Sequence, residues 1–213
     1  MAATCVIFDV DGTLLQSSLF EDYLYIAAVR SLLGDVLIRR NWGEYDHVTD
    51  LGILREICAE NRVPPGDCED HIRSRFGALM SDHLNRFGPC APIPGAIQFL
   101  NELRASPDFQ IGIATGGWGH IARMKLSGAG YDLTGIPVAS SDNGFERIRV
   151  MERCRAQLSS TGGTVYVGDA EWDQRASEQL HWRFIGVGSR LHGRCSPWIP
   201  DFLEPGLIQC LFG

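Results

Sequence analysis

The sequence predicts an α/β fold, a doubly wound, Rossmann-like parallel sheet core with a small α-helical cap domain inserted near its start. Three observations lead to this prediction. Short apolar runs typical of buried strands alternate with amphipathic stretches of helical spacing along most of the chain. These runs lack apolar/polar alternation, as expected when helices cover both faces of the sheet. Residues 17 to 88 interrupt the alternation, because their patterns are helical throughout.

The first strand is predicted at Thr4–Asp9, an apolar run rich in β-branched and aromatic residues that stops at the Asp11-Gly12 turn signal. Comparable runs predict four more strands, the second of them weaker, at Phe109–Ala114, Ile136–Ala139, Thr164–Val167 and Arg183–Val187. Amphipathic stretches between the strands predict helices at Ala96–Ala105, His120–Ser127, Arg147–Leu158 and Gln174–His181. Strand and helix in this order indicate a parallel sheet.

The inserted block contains three predicted helices, at Leu19–Leu33, Thr49–Glu60 and Pro65–Phe87. A Gly/Pro-rich return, Gly88–Gly95, leads back to the sheet. We therefore expect a cap of residues 17–88 and a core of residues 1–16 and 89–213. The loop 39–50 mixes aromatic, basic and hydroxyl groups, so it fits either a surface that closes over a substrate or an ordinary helix connection.

Composition excludes several classes of protein. The chain has 213 residues, 45% of them hydrophobic, and a net charge of −7 without blocks of like charge, which argues against nucleic-acid binding. Its apolar runs are too short to span a bilayer. Seven cysteines lack CxxC spacing, so reduced thiols are expected. We expect a cytoplasmic monomer or homodimer with neither nucleic-acid nor membrane partners.

Two aspartates, Asp9 and Asp11, follow the first predicted strand. Ligands of open α/β sheets bind outside the carboxyl ends of the strands, so both carboxylates can point into one crevice. One carboxylate can attack phosphorus while the other protonates the leaving oxygen and later activates water. For Asp11-Gly12 alone, a simple turn is the competing interpretation.

Thr115, Gly116 and Gly117 follow the second strand, where a hydroxyl and backbone N–H groups can hold phosphate oxygens. By itself this segment fits an ordinary loop equally well. A cation near the helix that begins around residue 147 would balance the negative charge of nucleophile and phosphate. Arg147 and Arg149 cannot both face the site, because they lie two apart on a helix. We favour Arg147, which lies nearer the helix start, and keep Arg149 as the alternative.

Asp169 follows the fourth strand, and Asp173 lies four positions later. Carboxylates at a strand end can complete the oxygen shell that Mg²⁺ prefers. Asp173 is placed to support that shell or to hold a ligand water. A Gly168-Asp169 turn is the competing interpretation of the pair alone.

In chain order, Phe-Asp9-Val-Asp11-Gly-Thr13-Leu, Thr115-Gly, an arginine, and Gly-Asp169 with Asp173 resemble the four motifs of the haloacid dehalogenase superfamily. The resemblance covers nearly the whole chain and is closest to the phosphoglycolate phosphatase and β-phosphoglucomutase-like subfamily. It implies a doubly wound core with a mobile helical cap. The family often has lysine in the third motif, whereas the single lysine here, Lys125, lies in the helix after Thr115.

The resemblance also implies the chemistry. Asp9 would form an aspartyl phosphate, Asp11 would act as general acid and base, and Thr115, Gly116 and the third-motif arginine would bind phosphate. Mg²⁺ would be held by Asp9, the Asp11 carbonyl and Asp169, with assistance from Asp173. Dehalogenases lack the second aspartate and transport ATPases have threonine there, so Asp11 favours hydrolysis of phosphate esters or phosphoryl transfer.

The expected activity is Mg²⁺-dependent hydrolysis of a small phosphate monoester, and the expected partner is a small phosphorylated metabolite. Two alternatives remain open. A phosphomutase of the same fold would return phosphate from Asp9 to the substrate. A catalytically idle phosphate-binding regulatory protein would keep the fold without turnover.

Overall fold

A computed structural model describes residues 2–64, 66 and 68–213 of the chain. Its strands are β1 (Thr4–Phe8), β2 (Phe109–Ala114), β3 (Val138–Ala139), β4 (Thr164–Gly168), β5 (Arg183–Val187) and β6 (Trp198–Ile199). They form one six-stranded parallel sheet in the order β3-β2-β1-β4-β5-β6. The strand order reverses beside β1, which is where open α/β sheets bind ligands.

The register of the central strands aligns their carboxyl ends. Phe8 of β1 pairs with Ile113 of β2 on one side and with Val167 of β4 on the other. The residues that leave these three strands therefore emerge together at one edge of the sheet. This edge is where the sequence predicts the catalytic groups.

The helices are α1 (Ser18–Leu33), α2 (Asp50–Glu60), α3 (Cys68–Phe87), α4 (Ala96–Ala105), α5 (Gly119–Gly128), α6 (Arg147–Arg155), α7 (Glu171–Gln179) and α8 (Leu207–Phe212). On one face of the sheet, Phe8 and Ile113 are buried in a cluster that includes Phe99 and Leu103 of α4. On the other face, Tyr166 belongs to a cluster with residues of α6 and α7. Helices thus cover both faces, and the predicted doubly wound α/β class is confirmed.

Helices α1, α2 and α3 pack around a separate cluster that includes Tyr25, Leu54 and Phe76. The same cluster takes in Trp118 and Ile121 at the start of α5, so the three helices rest on the carboxyl edge of the sheet. We refer to α1–α3 and their connections as the cap. The division of the chain at residues 17 and 88 stays a prediction.

The elements differ from the predicted ones mainly at their ends. The unpredicted β6 and α8 have two and six residues, which is too short for a periodic pattern to be recognised. Helix α7 begins at Glu171 instead of Gln174, which places Asp173 in its first turn. The predicted third helix begins at Pro65, whereas α3 begins at Cys68. Pro65 and Asp67 lie outside the described residues. Within the described part of the chain, none of the helices has the length and apolarity needed to cross a membrane.

Candidate active site

A cavity of about 130 Å³ lies at the carboxyl edge of the sheet, between the strand ends and the cap. Its floor contains the predicted groups Asp9, Asp11, Thr115, Gly116, Arg147 and Asp169. Its roof is formed by cap residues, which include Glu21, Asp22, Tyr25, Trp42, Val48, Thr49 and Asp50. The loop 39–50 therefore lines the cavity, and Thr49 also serves as N-cap of α2 by accepting a hydrogen bond from the Gly52 N–H at 3.0 Å.

Asp9 comes directly after β1 and is 4% exposed. Its Oδ1 lies 3.4 Å from Nη1 of Arg147. Burial raises the pKa of Asp9 to about 8, repulsion by Asp173 and Asp11 adds to the increase, and the Arg147 charge opposes it. Burial and like charge thus outweigh the Arg147 charge in their effect on this pKa.

Asp169 and Asp173 lie beside Asp9, and one oxygen of each of the three buried carboxylates falls within 4.8 Å of the others. Burial raises the pKa of Asp169 to about 7 and that of Asp173 to about 6, with repulsion between the carboxylates contributing. Gly12 has a φ of +90°, and a side chain there would collide with the Asp169 carboxylate. The glycine of the first motif therefore lets the Asp169 carboxylate approach the backbone. Three carboxylates this close form a donor set suited to a hard divalent cation such as Mg²⁺.

Asp11 lines the same cavity but does not belong to this cluster. Its Oδ1 accepts hydrogen bonds from the Ser17 hydroxyl and from Nζ of Lys125, the latter at 2.6 Å. Burial acts to raise the pKa of Asp11, but the Lys125 charge and the hydrogen bonds to the carboxylate outweigh it and lower the pKa. The two motif aspartates therefore have different environments although they are two residues apart.

The loop after β2 is tied to the cap. The Gly116 carbonyl accepts from the Asp50 N–H at 2.8 Å, and the Trp118 N–H donates to Oδ2 of Asp50 at 2.9 Å. A side chain at Gly116 would come within 2.6 Å of Nη2 of Arg147 and 2.9 Å of the Val48 carbonyl. The close packing of the loop against Arg147 and Val48 therefore requires glycine at this position.

The sequence predicts free N–H groups in this loop, but several are already used within the protein. The Gly117 N–H donates to Oγ1 of Thr115 at 3.1 Å, and the Gly119 N–H donates to Oδ2 of Asp142 at 2.9 Å. Trp118 is likewise engaged by Asp50. The side chains of Thr115 and Arg147 must therefore supply more of any phosphate contact than the backbone of residues 117–119.

Arg147 is the first residue of α6, and its side chain is 12% exposed. Its Nη1 lies 2.6 Å from Oδ1 of Asp173, and its Nη2 donates to the Val48 carbonyl at 3.1 Å. Its Nε is buried and has no hydrogen-bond partner among the described residues. Arg149 is 67% exposed and pairs with Glu146 and Glu152 on the helix surface. Of the two candidate cations, the structure brings Arg147 to the site and leaves Arg149 outside it.

Residues of the site that went unrecognised as such in the sequence include Lys125 and Glu21, and Asp50 was noted only as the end of the loop 39–50. Lys125 is 1% exposed and bonds to Glu21 as well as to Asp11. Burial raises the pKa of Asp50 to about 7. One signal was available for Lys125, because it is a lone charge on the apolar stripe of α5 that Ile121 and Leu126 define.

Comparisons with known proteins find solved structures of similar fold. The chain resembles a hydrolase from Pseudomonas syringae with 18% identity and a TM-score of 0.73, over 99% of this chain and 98% of that one. It resembles CbbY from Rhodobacter sphaeroides in complex with phosphate, with 19% identity and a TM-score of 0.71 over 97% of each chain. It also resembles β-phosphoglucomutase from Clostridium difficile, with 15% identity and a TM-score of 0.72 over 97% of this chain and 96% of that one.

At these identities the structural likeness establishes the shared fold. A search of curated protein sequences finds no match. The family assignment comes from the sequence itself, because the haloacid dehalogenase-like hydrolase family matches residues 3–181, most of the chain. The carboxylates at the ends of β1 and β4 lie inside the matched span, and the chain belongs to the haloacid dehalogenase-like hydrolases.

Proposed function

We propose that this enzyme hydrolyses a small phosphate monoester through an aspartyl-phosphate intermediate on Asp9. The observation that carries the proposal is that Asp9 and Asp11 line one cavity with different partners. Asp9 contacts the cation Arg147 and lies beside two further carboxylates, whereas Asp11 is paired with its own cation, Lys125. Phosphoryl transfer to a carboxylate needs a charge-balanced nucleophile with a proton donor beside it.

In the first step, a carboxylate oxygen of Asp9 attacks phosphorus, and the bond from phosphorus to the ester oxygen breaks. For this step Asp11 must be protonated, and it gives its proton to that oxygen, so the substrate leaves as an alcohol and Asp11 is left as the carboxylate. In the second step, Asp11 accepts a proton from water as the water oxygen attacks phosphorus. The acyl-phosphate bond then breaks, which releases inorganic phosphate and regenerates Asp9.

The phosphate oxygens would be held by the Thr115 hydroxyl and by Arg147, whose buried Nε is available for another acceptor. The Arg147 pKa stays above its ordinary range, because attraction by Asp173, Tyr166 and Asp9 outweighs the effect of burial. The guanidinium therefore remains charged under all working conditions. A fixed cation in a site shielded from water stabilises the negative charge of the transition state.

Mg²⁺ would be held by Asp9 and Asp169, with Asp173 in support and the Asp11 carbonyl as a further ligand implied by the family resemblance. When bound, it would neutralise the carboxylates and polarise the phosphoryl group. The close approach of the three carboxylate oxygens supports this assignment. The raised pKa values of Asp9 and Asp169 fit this assignment, because burial is their largest cause and repulsion from neighbouring carboxylates contributes to both.

The size of the cavity limits the substrate. About 130 Å³ beneath the cap suits a small phosphorylated metabolite, and the cap residues over it are aromatic and acidic. We further propose a cytoplasmic monomer or homodimer, consistent with free thiols at all seven cysteines.

The test is release of inorganic phosphate from a panel of small phosphate esters, with and without Mg²⁺. Asp9→Asn should abolish release, whereas Asp108→Asn is the matched control, because Asp108 is exposed and precedes β2 at the opposite edge of the sheet. Absence of release from every ester would refute hydrolysis. Turnover that instead requires a sugar bisphosphate activator would identify a phosphomutase.

A further inference from the structure

Lys125 is a buried cation whose role the proposed phosphate chemistry leaves unexplained. It lies in α5, is 1% exposed and is the single lysine of the chain. Its Nζ lies 2.6 Å from Oδ1 of Asp11 and 2.6 Å from both carboxylate oxygens of Glu21. Asp11 and Glu21 line the cavity, and Lys125 lies behind them.

Its geometry argues against direct phosphate binding. An ammonium group has three N–H donors, and three carboxylate oxygens already lie within hydrogen-bond distance of Nζ. A phosphate could bind there only by displacing one of these partners. Lys125 therefore acts on the reaction through its neighbours.

The neighbour that matters is Asp11. Lys125 and the Ser17 hydroxyl both donate to Oδ1, so this oxygen is already engaged within the protein. The other oxygen, Oδ2, faces the loop after β2, where a side chain added at Gly117 would lie 3.9 Å from it. General acid catalysis requires the donor oxygen within hydrogen-bond reach of the leaving group, so fixing Oδ1 fixes the orientation of Oδ2.

The second neighbour connects this orientation to the cap. Glu21 lies in α1, whereas Asp11 and Lys125 belong to the sheet side of the cavity. A displacement of α1 would remove Glu21 from Nζ and leave Lys125 with Asp11 and a vacated donor. The Lys125 ammonium group thus contacts both Asp11 and, through Glu21, the cap.

We propose that Lys125 is a positioning residue that aligns Asp11 for proton transfer to the leaving group, and that Glu21 makes this alignment depend on the closed cap. The proposal rests on the proposed phosphatase function. It separates Lys125 from Arg147, whose contacts are with the nucleophile and not with the proton donor.

The test compares two leaving groups in the Mg²⁺-loaded full chain. Glycerol 1-phosphate needs a proton on its departing alkoxide, whereas p-nitrophenyl phosphate releases a stable anion that does not. The readout is kcat/KM, because hydrolysis of the aspartyl phosphate is common to both esters and also uses Asp11. Lys125→Met should lower kcat/KM by ~10²-fold for the alkyl ester and by less than ~10-fold for the aryl ester, since general acid catalysis contributes ~10²–10⁴-fold. Lys125→Arg should recover part of the loss.

A matched control is Arg123→Met, which removes a cation from an exposed position of the same helix and should change neither rate. Equal losses for the two esters in Lys125→Met would overturn the positioning role. If the wild type hydrolyses neither ester nor any member of the panel, the phosphatase function itself fails. These two failures are distinguishable, because the second is already visible in the wild type.

Glu21→Gln tests the connection to the cap. It should lower the ratio of alkyl to aryl kcat/KM in the same direction as Lys125→Met but by a smaller factor, because glutamine keeps one acceptor oxygen. An unchanged ratio would contradict the coupling. If Lys125→Met does not fold, the charge-balanced double variant Lys125→Met with Glu21→Gln replaces it, and its ratio of kcat/KM values, compared with that of Glu21→Gln alone, decides.

Discussion

Two buried cations flank the candidate active site, and they differ in how completely the protein satisfies them. Arg147 contacts Asp9, Asp173 and the Val48 carbonyl, yet its Nε lacks a partner among the described residues. Lys125 places its ammonium against three carboxylate oxygens of Asp11 and Glu21. Each cation thus joins an aspartate of the first motif to a second carboxylate, but of the two cations only Arg147 offers a free donor to a ligand.

This difference distinguishes a cation that can bind a ligand from a cation that positions the side chains around it. A buried donor without a partner costs free energy in the unliganded protein, and a ligand acceptor removes that cost. A saturated cation offers nothing to a ligand and instead restrains the groups around it. The four predictions below test this distinction, from the largest expected effect to the smallest.

Arg147→Met should lower kcat/KM by ~10²–10³-fold, because removing one preordered donor from a developing charge has about this effect. The loss should be equal for alkyl and aryl esters, in contrast to the Lys125 variant. Steady-state kinetics measure it. Arg149→Met is the matched control on the same helix, where the side chain is 67% exposed, and a comparable loss there would contradict the assignment.

Mg²⁺ should bind on the arginine side of the site and thereby stabilise the folded protein. At a hundredfold excess over Kd, a ligand specific for the folded state adds ~2.7 kcal/mol to the free energy of unfolding. Thermal unfolding with Mg²⁺ and with EDTA measures the shift. Asp169→Asn should remove the Mg²⁺-dependent shift and Glu21→Gln should keep it. The reverse pattern would place the metal on the lysine side.

Asp50 is a buried carboxylate paired with a backbone N–H instead of a cation, and its pKa is raised to about 7. The folded protein therefore binds more protons than the unfolded chain between pH 3.8 and about 7. The contribution of Asp50 to stability is favourable below this window and is lost as the pH rises through it.

Asp50→Asn should accordingly be more stable than the wild type at pH 8, by on the order of 1 kcal/mol, and should lose this advantage at pH 4. Urea unfolding across this pH range measures the difference. A stability difference independent of pH would show that the pKa of Asp50 is the same in the folded protein and in the unfolded chain.

The smallest effect is expected for Arg73, which joins the cap to the sheet side through Asp142 at 3.1 Å. Both side chains are about a third exposed, at 39% and 33%, so solvent screens the pair. Arg73→Met should lower the free energy of unfolding by less than ~1 kcal/mol in urea titrations. A much larger loss in the free energy of unfolding would contradict the distinction between the exposed Arg73 contact and the buried Lys125 contact with the cap.

Features that depend on neighbouring residues could be predicted from the sequence, whereas contacts between residues far apart in the chain could not. Asp9, Asp11 and Asp169 could be located because a strand end followed by a turn is a local pattern. The pairing of Lys125 with Glu21 spans 104 positions, and no local pattern connects the two residues. Arg147 and Arg149 were both plausible cations, because their spacing places them on different faces of one helix. The spacing does not say which of these faces meets the sheet.

By itself, the sequence determined the α/β class, the order of the main strands and helices, and the set of carboxylates at the strand ends. Hydrophobic periodicity and turn chemistry act between near neighbours, and both are visible in a single chain. Only the tertiary structure decided which arginine enters the cavity, which cation holds Asp11 and how the loop after β2 bonds to Asp50. These contacts join elements far apart in sequence, and their free energies depend on a burial that exists only once the cap lies on the sheet.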